Sequence, residues 1–421
     1  MLAINGGVPE IRNKLAPYKT IDQNEINAVV DVMKSNCLSK FVGEWGEDFF
    51  GGPQILAFEN EWESMFGVKH AIAVNSWTSG LTAAIGAIGI EPGDEIIVSP
   101  WTMAASATSI LHWNAIPIFA DISINDFCLN PDTLEESISP FTKAIMLVDI
   151  FGRSADIDKF IPIAQKYNLK IISDTAQSPG ALYKGALAGT LTDIGGYSLN
   201  YHKHIHTGEG GIVVTNNDEF AERVQLIRNH AEAVLMKKKF NSLNNMIGYN
   251  FRLGEIEAAI GREQLKKLPS LILSRQTAAE KIIQSLKEIP GVTLPESDLV
   301  RSNVYYVLPI ILDLDQFTVD RHEIFLALKA EGLEGLSEGY MNLHKLPMYV
   351  KKIAYGSKGF PWITGVAHRD IDYTKVQLPI AEKLHSETFL EFEICKFELN
   401  EHDIQKVINV FNKVLKHYSK K

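Results

Sequence analysis

The chain reads as an α/β protein: a three-layer α/β/α arrangement on a mostly parallel, seven-stranded sheet, with a smaller C-terminal α+β domain. Three observations predict it. Short apolar runs alternate with amphipathic stretches from about residue 70 to residue 215, the pattern of strands buried on both faces beneath covering helices. From Arg252 to Leu286 the pattern turns helical, clearest in Glu255-Ile-Glu-Ala-Ala-Ile-Gly-Arg-Glu-Gln-Leu265. Beyond it come one strand pattern, Tyr305–Leu312, and a terminal helix pattern, Asp403–His417. The expected division is a large domain over residues 1–265, including an N-terminal segment, and a small domain over 266–421.

The seven expected strands are Ala71–Val74, Glu95–Val98, Pro117–Ala120, Ala144–Asp149, Lys170–Ser173, Ile194–Ser198 and Gly211–Thr215. Each is a short run rich in Ile, Val and Ala, too short for a helix and bounded by turn residues. Between most of them lie amphipathic stretches such as Ser79–Ile88, Ala104–His112 and Ile157–Lys166. Ligands of such sheets bind beyond the carboxyl ends of the strands. Ser76 and Asp174 fall at such ends. No internal repeat or low-complexity linker interrupts the pattern.

Composition narrows the function. Of the 421 residues, 46% are apolar, enough for a sizeable core, and the net charge is −10. With a pI near 5.7, nonspecific binding to nucleic acid or to a membrane surface is not expected. The three cysteines, Cys37, Cys128 and Cys395, are far apart and lack CxxC spacing, which fits a reducing compartment rather than a disulfide framework or structural zinc. The amino terminus has no basic stretch followed by an apolar one, and no apolar run approaches the roughly 20 residues that span a bilayer. The expectation is a soluble, cytoplasmic enzyme.

One stretch carries the chemistry. Lys203 lies in Tyr197-Ser-Leu-Asn-Tyr-His-Lys-His-Ile-His-Thr-Gly-Glu-Gly-Gly211, which leads straight into the apolar run Ile212-Val-Val-Thr215. A lysine held between apolar strands and beside a tight turn sits at a fixed depth, where its amine can lose a proton and attack a carbonyl. Upstream, Lys170-Ile-Ile-Ser-Asp174-Thr-Ala-Gln177 is an apolar strand ending in an acid. A strand-end aspartate and a buried lysine are the two protein groups that pyridoxal 5'-phosphate requires.

These segments stand in a recognisable order. Val68-Lys-His-Ala-Ile-Ala-Val-Asn-Ser76, Glu91-Pro-Gly-Asp-Glu-Ile-Ile-Val98, Asp174-Thr-Ala-Gln177, Ser198 to Gly211, Gly248-Tyr-Asn-Phe-Arg-Leu-Gly-Glu255, Val304-Tyr-Tyr306 and His344-Lys-Leu-Pro-Met-Tyr349 make the chain resemble the DegT/DnrJ/StrS sugar aminotransferases. Those enzymes use pyridoxal phosphate on the type I aspartate aminotransferase fold. The resemblance implies that Lys203 holds the cofactor covalently and, once freed by the amino donor, moves the proton between substrate and cofactor carbons. It implies that Asp174 pairs with the pyridine nitrogen and keeps it protonated, and that Gln177 bonds the ring oxygen. It also implies amino transfer from L-glutamate to a keto sugar, either nucleotide-linked or of the keto-octulosonate type, for a surface polysaccharide.

The remaining cofactor contacts follow from the same segments. Hydroxyls and free N–H groups at a helix start make an anion site, so Thr78, Ser79 and Ser198 are the expected phosphate ligands. Trp77 departs from the small residue usual in the family; it either narrows the pocket or packs. In Pro100-Trp-Thr-Met-Ala-Ala-Ser-Ala-Thr108 an aromatic usually follows the threonine, and here Met103 does. Either Met103 or Trp101 is expected to stack on the ring. Asn250 matches a family asparagine that reaches the phosphate of the neighbouring subunit, which implies a homodimer with a shared site.

Two segments stay open. His202, His204 and His206 would share one face of a strand, but no HExxH and no carboxylate in metal-ligand spacing accompanies them; a substrate or phosphate contact is the better expectation than zinc. Residues 39–53 carry Trp45, Phe49 and Phe50 among glycines, which suits either a loop over the substrate entrance or local packing. Two rival functions share the fold. A pyridoxamine-dependent sugar dehydratase would have a histidine where Lys203 stands. A noncatalytic regulator would not need Lys203, Asp174 and Gln177 together.

Overall fold

In the computed structural model, which describes all residues except 236–241, Ser297, Leu299 and Lys421, the apolar runs assemble into one twisted sheet. Its strands are β1 (His70–Val74), β2 (Glu95–Val98), β3 (Ile116–Phe119), β4 (Thr142–Val148), β5 (Lys170–Asp174), β8 (Ile194–Ser198) and β9 (Gly211–Thr215); between β5 and β8 a separate two-stranded hairpin is formed by β6 (Leu182–Tyr183) and β7 (Ala186–Leu187). The seven-stranded order is β1-β9-β8-β5-β4-β2-β3. Only β9 runs against its neighbours; β8-β5-β4-β2-β3 are parallel. Helices α1 (Gln23–Ser35), α2 (Pro53–Phe66), α3 (Trp77–Ala87) and α4 (Ala105–His112) precede or intersperse the first strands, and Ile157–Tyr167 and Asp218–Arg228 follow. The expected strands are all present; β2, β8 and β9 match their expected bounds and the other four differ by one or two residues at one or both ends.

The start of α2 is held by a distant residue. Gly52 and Pro53 begin it without a side-chain cap of their own. Instead the carboxylate of the buried Glu255 accepts from Gln54 N at 2.8 Å and Ile55 N at 3.4 Å. A negative charge on free first-turn N–H groups stabilises a helix start. Gly52 is required there, since a Cβ would lie 2.7 Å from that carboxylate.

The second sheet, in order β10-β11-β13-β12, is antiparallel and comprises β10 (Val292–Thr293), β11 (Leu308–Leu312), β12 (Leu336–Ser337) and β13 (Phe389–Phe392). The expected strand from Tyr305 begins only at Leu308, because Tyr305 takes a left-handed φ of 51°.

The expected division at 1–265 and 266–421 needs correction. A single helix, Glu255–Leu286, runs through position 265. Its first half packs Ala258, Leu265 and Leu268 with the β1/β9 side of the large sheet; its second half packs Ala278, Ala279, Ile282 and Leu286 in the core of the small sheet. Leu2, Ile11 and Leu15 belong to that small core. Conversely, Leu343, Tyr349, Trp362 and Tyr373 return to the large core, where Tyr373 Oη donates to Pro117 O at 2.8 Å and covers edge strand β3. Apolar pattern along the chain reports what is buried, not against which partner, so a division by sequence position missed both exchanges.

Candidate active site

The pocket opens at the carboxyl ends of the parallel strands, where such sheets bind ligands. Ser76 follows β1, Thr102 and Met103 follow β2, Val148 ends β4, Asp174 ends β5 and Ser198 ends β8; all line it, together with Trp77, Ala176, Gln177, Asn200, His202, Lys203 and Glu209. The structure thus brings Lys203, Asp174, Gln177, Thr78, Ser198 and Met103 to one cavity.

Lys203 is presented by a tight turn after β8. Its N–H bonds Asn200 O at 2.9 Å, while Leu199 N bonds Gly210 O at 2.9 Å and closes the turn. The side chain is 7% exposed, and Nζ lies 4.3 Å from the centroid of the Tyr306 ring. Among the described residues no carboxylate lies within ion-pair distance of it. Burial lowers the amine from its ordinary 10.5 to about 8, partly opposed by the charge of Asp174. A free amine at neutral pH is therefore within easy reach.

Asp174 is 5% exposed and held by two side-chain donors. Trp77 Nε1 donates to Oδ1 at 2.7 Å, and Ser106 Oγ donates to Oδ2 at 2.7 Å. Both oxygens act as acceptors, the role of a carboxylate. Gln177 is held at both ends of its amide: Oε1 accepts from Phe151 N at 2.8 Å, and Nε2 donates to Tyr340 Oη at 2.8 Å. The second N–H of that amide remains for a ligand. Beneath the site Asp149 is buried, accepts from Thr175 Oγ1 at 2.7 Å, and is pushed up to about 7 by burial and then by Asp174.

At the start of α3, Ser76 is the N-cap and accepts from Ser79 N at 3.1 Å. The N–H groups of Trp77 and Thr78 have no acceptor among the described residues, so an anion there would meet free donors. Thr78 and Ser198 line this end of the pocket. Ser79, expected beside them, does not: its hydroxyl lies 2.9 Å from Ser76 Oγ, one helical step round from the cavity. Asn200 Oδ1 is buried here without a partner.

Trp101 and Met103 part company in the structure. Trp101 is fully buried outside the pocket, edge-on to Phe389 at 4.6 Å and Phe151 at 5.6 Å, with its indole N–H on Tyr340 O. Met103 lines the pocket and is 55% exposed. Asn250 does not line the pocket of its own chain. It is exposed at the surface, its carboxamide oxygen accepting from Arg252 Nε at 2.8 Å and its backbone oxygen from Asn75 Nδ2 at 3.3 Å.

The histidines separate. They lie in a turn rather than a strand, so alternation does not apply. His202 lines the pocket and is held neutral, lowered to about 4 by burial and by Lys203. His204 is buried with Nε2 2.9 Å from Val304 O. His206 Nε2 is 2.9 Å from Thr20 Oγ1. In residues 39–53, Trp45, Phe49 and Phe50 pack with Leu226, Val234 and Met246, and Asn229 Nδ2 donates to Val42 O and Phe49 O. Sequence reasoning missed Ser106, which no motif links to its distant partner Asp174.

A buried amine able to shed its proton, a fixed carboxylate and an anion-ready helix start, all at strand ends, define a pyridoxal-phosphate enzyme of the type I aminotransferase fold. The groups present fit that cofactor: the Lys203 amine would meet its carbonyl, the Asp174 carboxylate would accept from its ring nitrogen, and the free N–H groups of Trp77 and Thr78 would donate to its phosphate. Residues 19–392 match the model of the DegT/DnrJ/EryC1/StrS aminotransferase family, and the chain belongs to that family. It is a pyridoxal-phosphate-dependent aminotransferase. The chain is 32% identical over 358 residues to the spore coat polysaccharide biosynthesis protein SpsC of Bacillus subtilis, covering 83% of this chain and 89% of that protein. It is 33% identical over 330 residues to the GDP-perosamine synthase of Caulobacter vibrioides, covering 78% and 85%. The solved aminotransferase of Psychrobacter cryohalolentis superposes with a TM-score of 0.81 at 26% identity, over 96% of this chain and all of that one.

Proposed function

We propose that this enzyme moves an amino group from L-glutamate to the ketone of a sugar destined for a surface polysaccharide, acting in the cytoplasm as a homodimer with shared active sites. Bound pyridoxal phosphate supplies the reactive carbonyl and the electron sink. The chain's own groups do the rest. Lys203 would hold the cofactor and carry the proton at its Nζ. Asp174 would set the charge for the ring nitrogen, Gln177 would offer its remaining N–H to the ring oxygen, Met103 would supply an apolar face for the ring, and Thr78 and Ser198 would bind phosphate.

The observation that carries the reading is the lone amine facing a fixed carboxylate in one cavity. The same cavity supports the shared site. Among the described residues the only basic side chain lining it apart from Lys203 is His202, held neutral, so those residues offer a phosphate dianion no further counter-charge. Asn250, exposed, and Arg252, half-buried, are bonded to each other and suit a reach into the partner's pocket. The names of the spore coat polysaccharide protein and the perosamine synthase support a sugar acceptor. Lys203 itself argues against the dehydratase reading.

A two-step half-reaction tests the proposal. Excess L-glutamate should bleach the visible band of the bound cofactor, with L-glutamine as the alternative donor. After the donor is removed, a panel of nucleotide-linked ketodeoxysugars and free keto-octulosonates should restore the band far faster than pyruvate or oxaloacetate. If the small keto acids win, the sugar assignment is wrong.

A further inference from the structure

We propose that Trp77 is a positioning residue for Asp174: its indole N–H, together with the Ser106 hydroxyl, clamps the carboxylate and sets how much of its charge reaches the cofactor's ring nitrogen. This rests on the reading of Asp174 given above and extends it to a residue with no catalytic motif of its own.

The first ground is geometry. The donors come from two different helices, Trp77 at the start of α3 and Ser106 in the first turn of α4, and each takes a different oxygen at 2.7 Å. Ser106 Oγ also lies 3.3 Å from Thr102 Oγ1, and Ala176 N lies 3.3 Å from Oδ1. A carboxylate held by one donor can turn about its Cβ–Cγ bond; held on both oxygens from two sides, it cannot. Charge-assisted hydrogen bonds of this length in a dry site are among the stronger ones a protein makes.

The second ground is that the surrounding chain is cut to admit the indole. A Cβ at Gly80 would lie 2.6 Å from Trp77 Cε3, and one at Gly196 would lie 2.2 Å from Trp77 Cζ3. These glycines sit on α3 and β8, two separate elements. Glycine inside a strand is costly, and a Cβ at Gly196 would meet both the indole and, also at 2.2 Å, the Ile212 backbone oxygen. An indole merely filling space would not need its N–H placed on the one carboxylate that faces the ring nitrogen.

Each donor draws charge away from the oxygen it binds. Removing one leaves Asp174 either more negative or free to turn from the ring. Both outcomes favour a proton on the nitrogen that joins the cofactor to Lys203: the first by attraction, the second because an unprotonated ring withdraws fewer electrons. The charged and titratable groups facing Asp174 are Lys203, Asp149 and Tyr340, and none of them is altered by the variants below.

The experiment uses the holoenzyme. For wild type, Trp77→Phe, Ser106→Ala and each paired with Asp174→Asn, one measures the pyridoxal phosphate dissociation constant and the pH midpoint of the bound cofactor's visible band. Trp77→Phe and Ser106→Ala should each weaken cofactor binding about tenfold, as loss of a charge-assisted hydrogen bond implies, and raise the midpoint by roughly half a pH unit or more. In the Asp174→Asn background neither should move the midpoint. Unchanged constants and midpoints in both single variants overturn the proposal, as does an equal shift with Asp174→Asn present. If Trp77→Phe does not fold, Ser106→Ala decides alone. A wild-type protein without a visible band would sink the Lys203 reading instead, so the two failures are distinct.

Discussion

Removing the Lys203 amine should make the cofactor-free protein more stable. Burial takes Lys203 from 10.5 to about 8, and a fall of about 2.5 at about 1.36 kcal/mol per pH unit disfavours its charged form in the folded chain by roughly 3 kcal/mol. The sign follows from proton counting. Between about 8 and 10.5 the unfolded chain binds more protons than the folded one, so wild-type stability rises with pH across that window; below it the whole penalty applies, and above it none. Lys203→Met removes the charge and keeps an apolar side chain against Tyr306. The contact of Nζ with that ring, 4.3 Å from its centroid, is lost and offsets about 1 kcal/mol. The variant should therefore exceed wild type by about 2 kcal/mol at pH 7 and by about 1 kcal/mol at pH 9. Urea denaturation of the two apoproteins at one fixed protein concentration measures this. A variant no more stable than wild type at pH 7, or a gain that does not shrink toward pH 9, would refute the claim that burial holds the amine near neutrality.

Asp174→Asn should bind cofactor yet transaminate roughly a thousandfold more slowly, about 4 kcal/mol of barrier; near-normal turnover would remove Asp174 from its role. Mixing inactive Lys203→Ala with inactive Asn250→Ala protein should restore part of the activity, because hybrid dimers hold one intact site; no recovery despite subunit exchange places Asn250 in its own subunit's structure. Glu255→Ala should cost about 1–2 kcal/mol by uncapping α2, seen as a lower melting temperature with cofactor affinity little changed. Glu59→Ala should cost about 3–5 kcal/mol, since it strands the fully buried Arg228 guanidinium, whose Nη1 bonds Glu59 at 2.6 Å.

The strands of the large sheet were legible because a strand buried on both faces is an apolar run, whatever it pairs with. Lys203, Asp174 and Gln177 were legible because the turn and the strand end that present them are local features. What was not legible is set by contacts across the sheet. Trp101 and Met103 lie two residues apart on one loop, and only the fold turns one into the core and the other into the cavity. Ser79 lost its place because Ser76, three residues earlier, took the capping role that fixes where α3 starts. The bond from Trp77 to Asp174 joins residues 97 positions apart, and sequence pattern carries no information about such a pairing.

Residues near positions 2 and 415 lie in one core: Ala3 N bonds Glu331, Lys413 Nζ bonds both Val8 O and Glu331, and Leu2 and Leu415 share an apolar cluster. Ala3 and Glu10 are thus held by one carboxylate 328 and 321 residues further along the chain. Loss of that N-terminal segment would uncover apolar surface of the small core, a patch for chaperones and proteases to find.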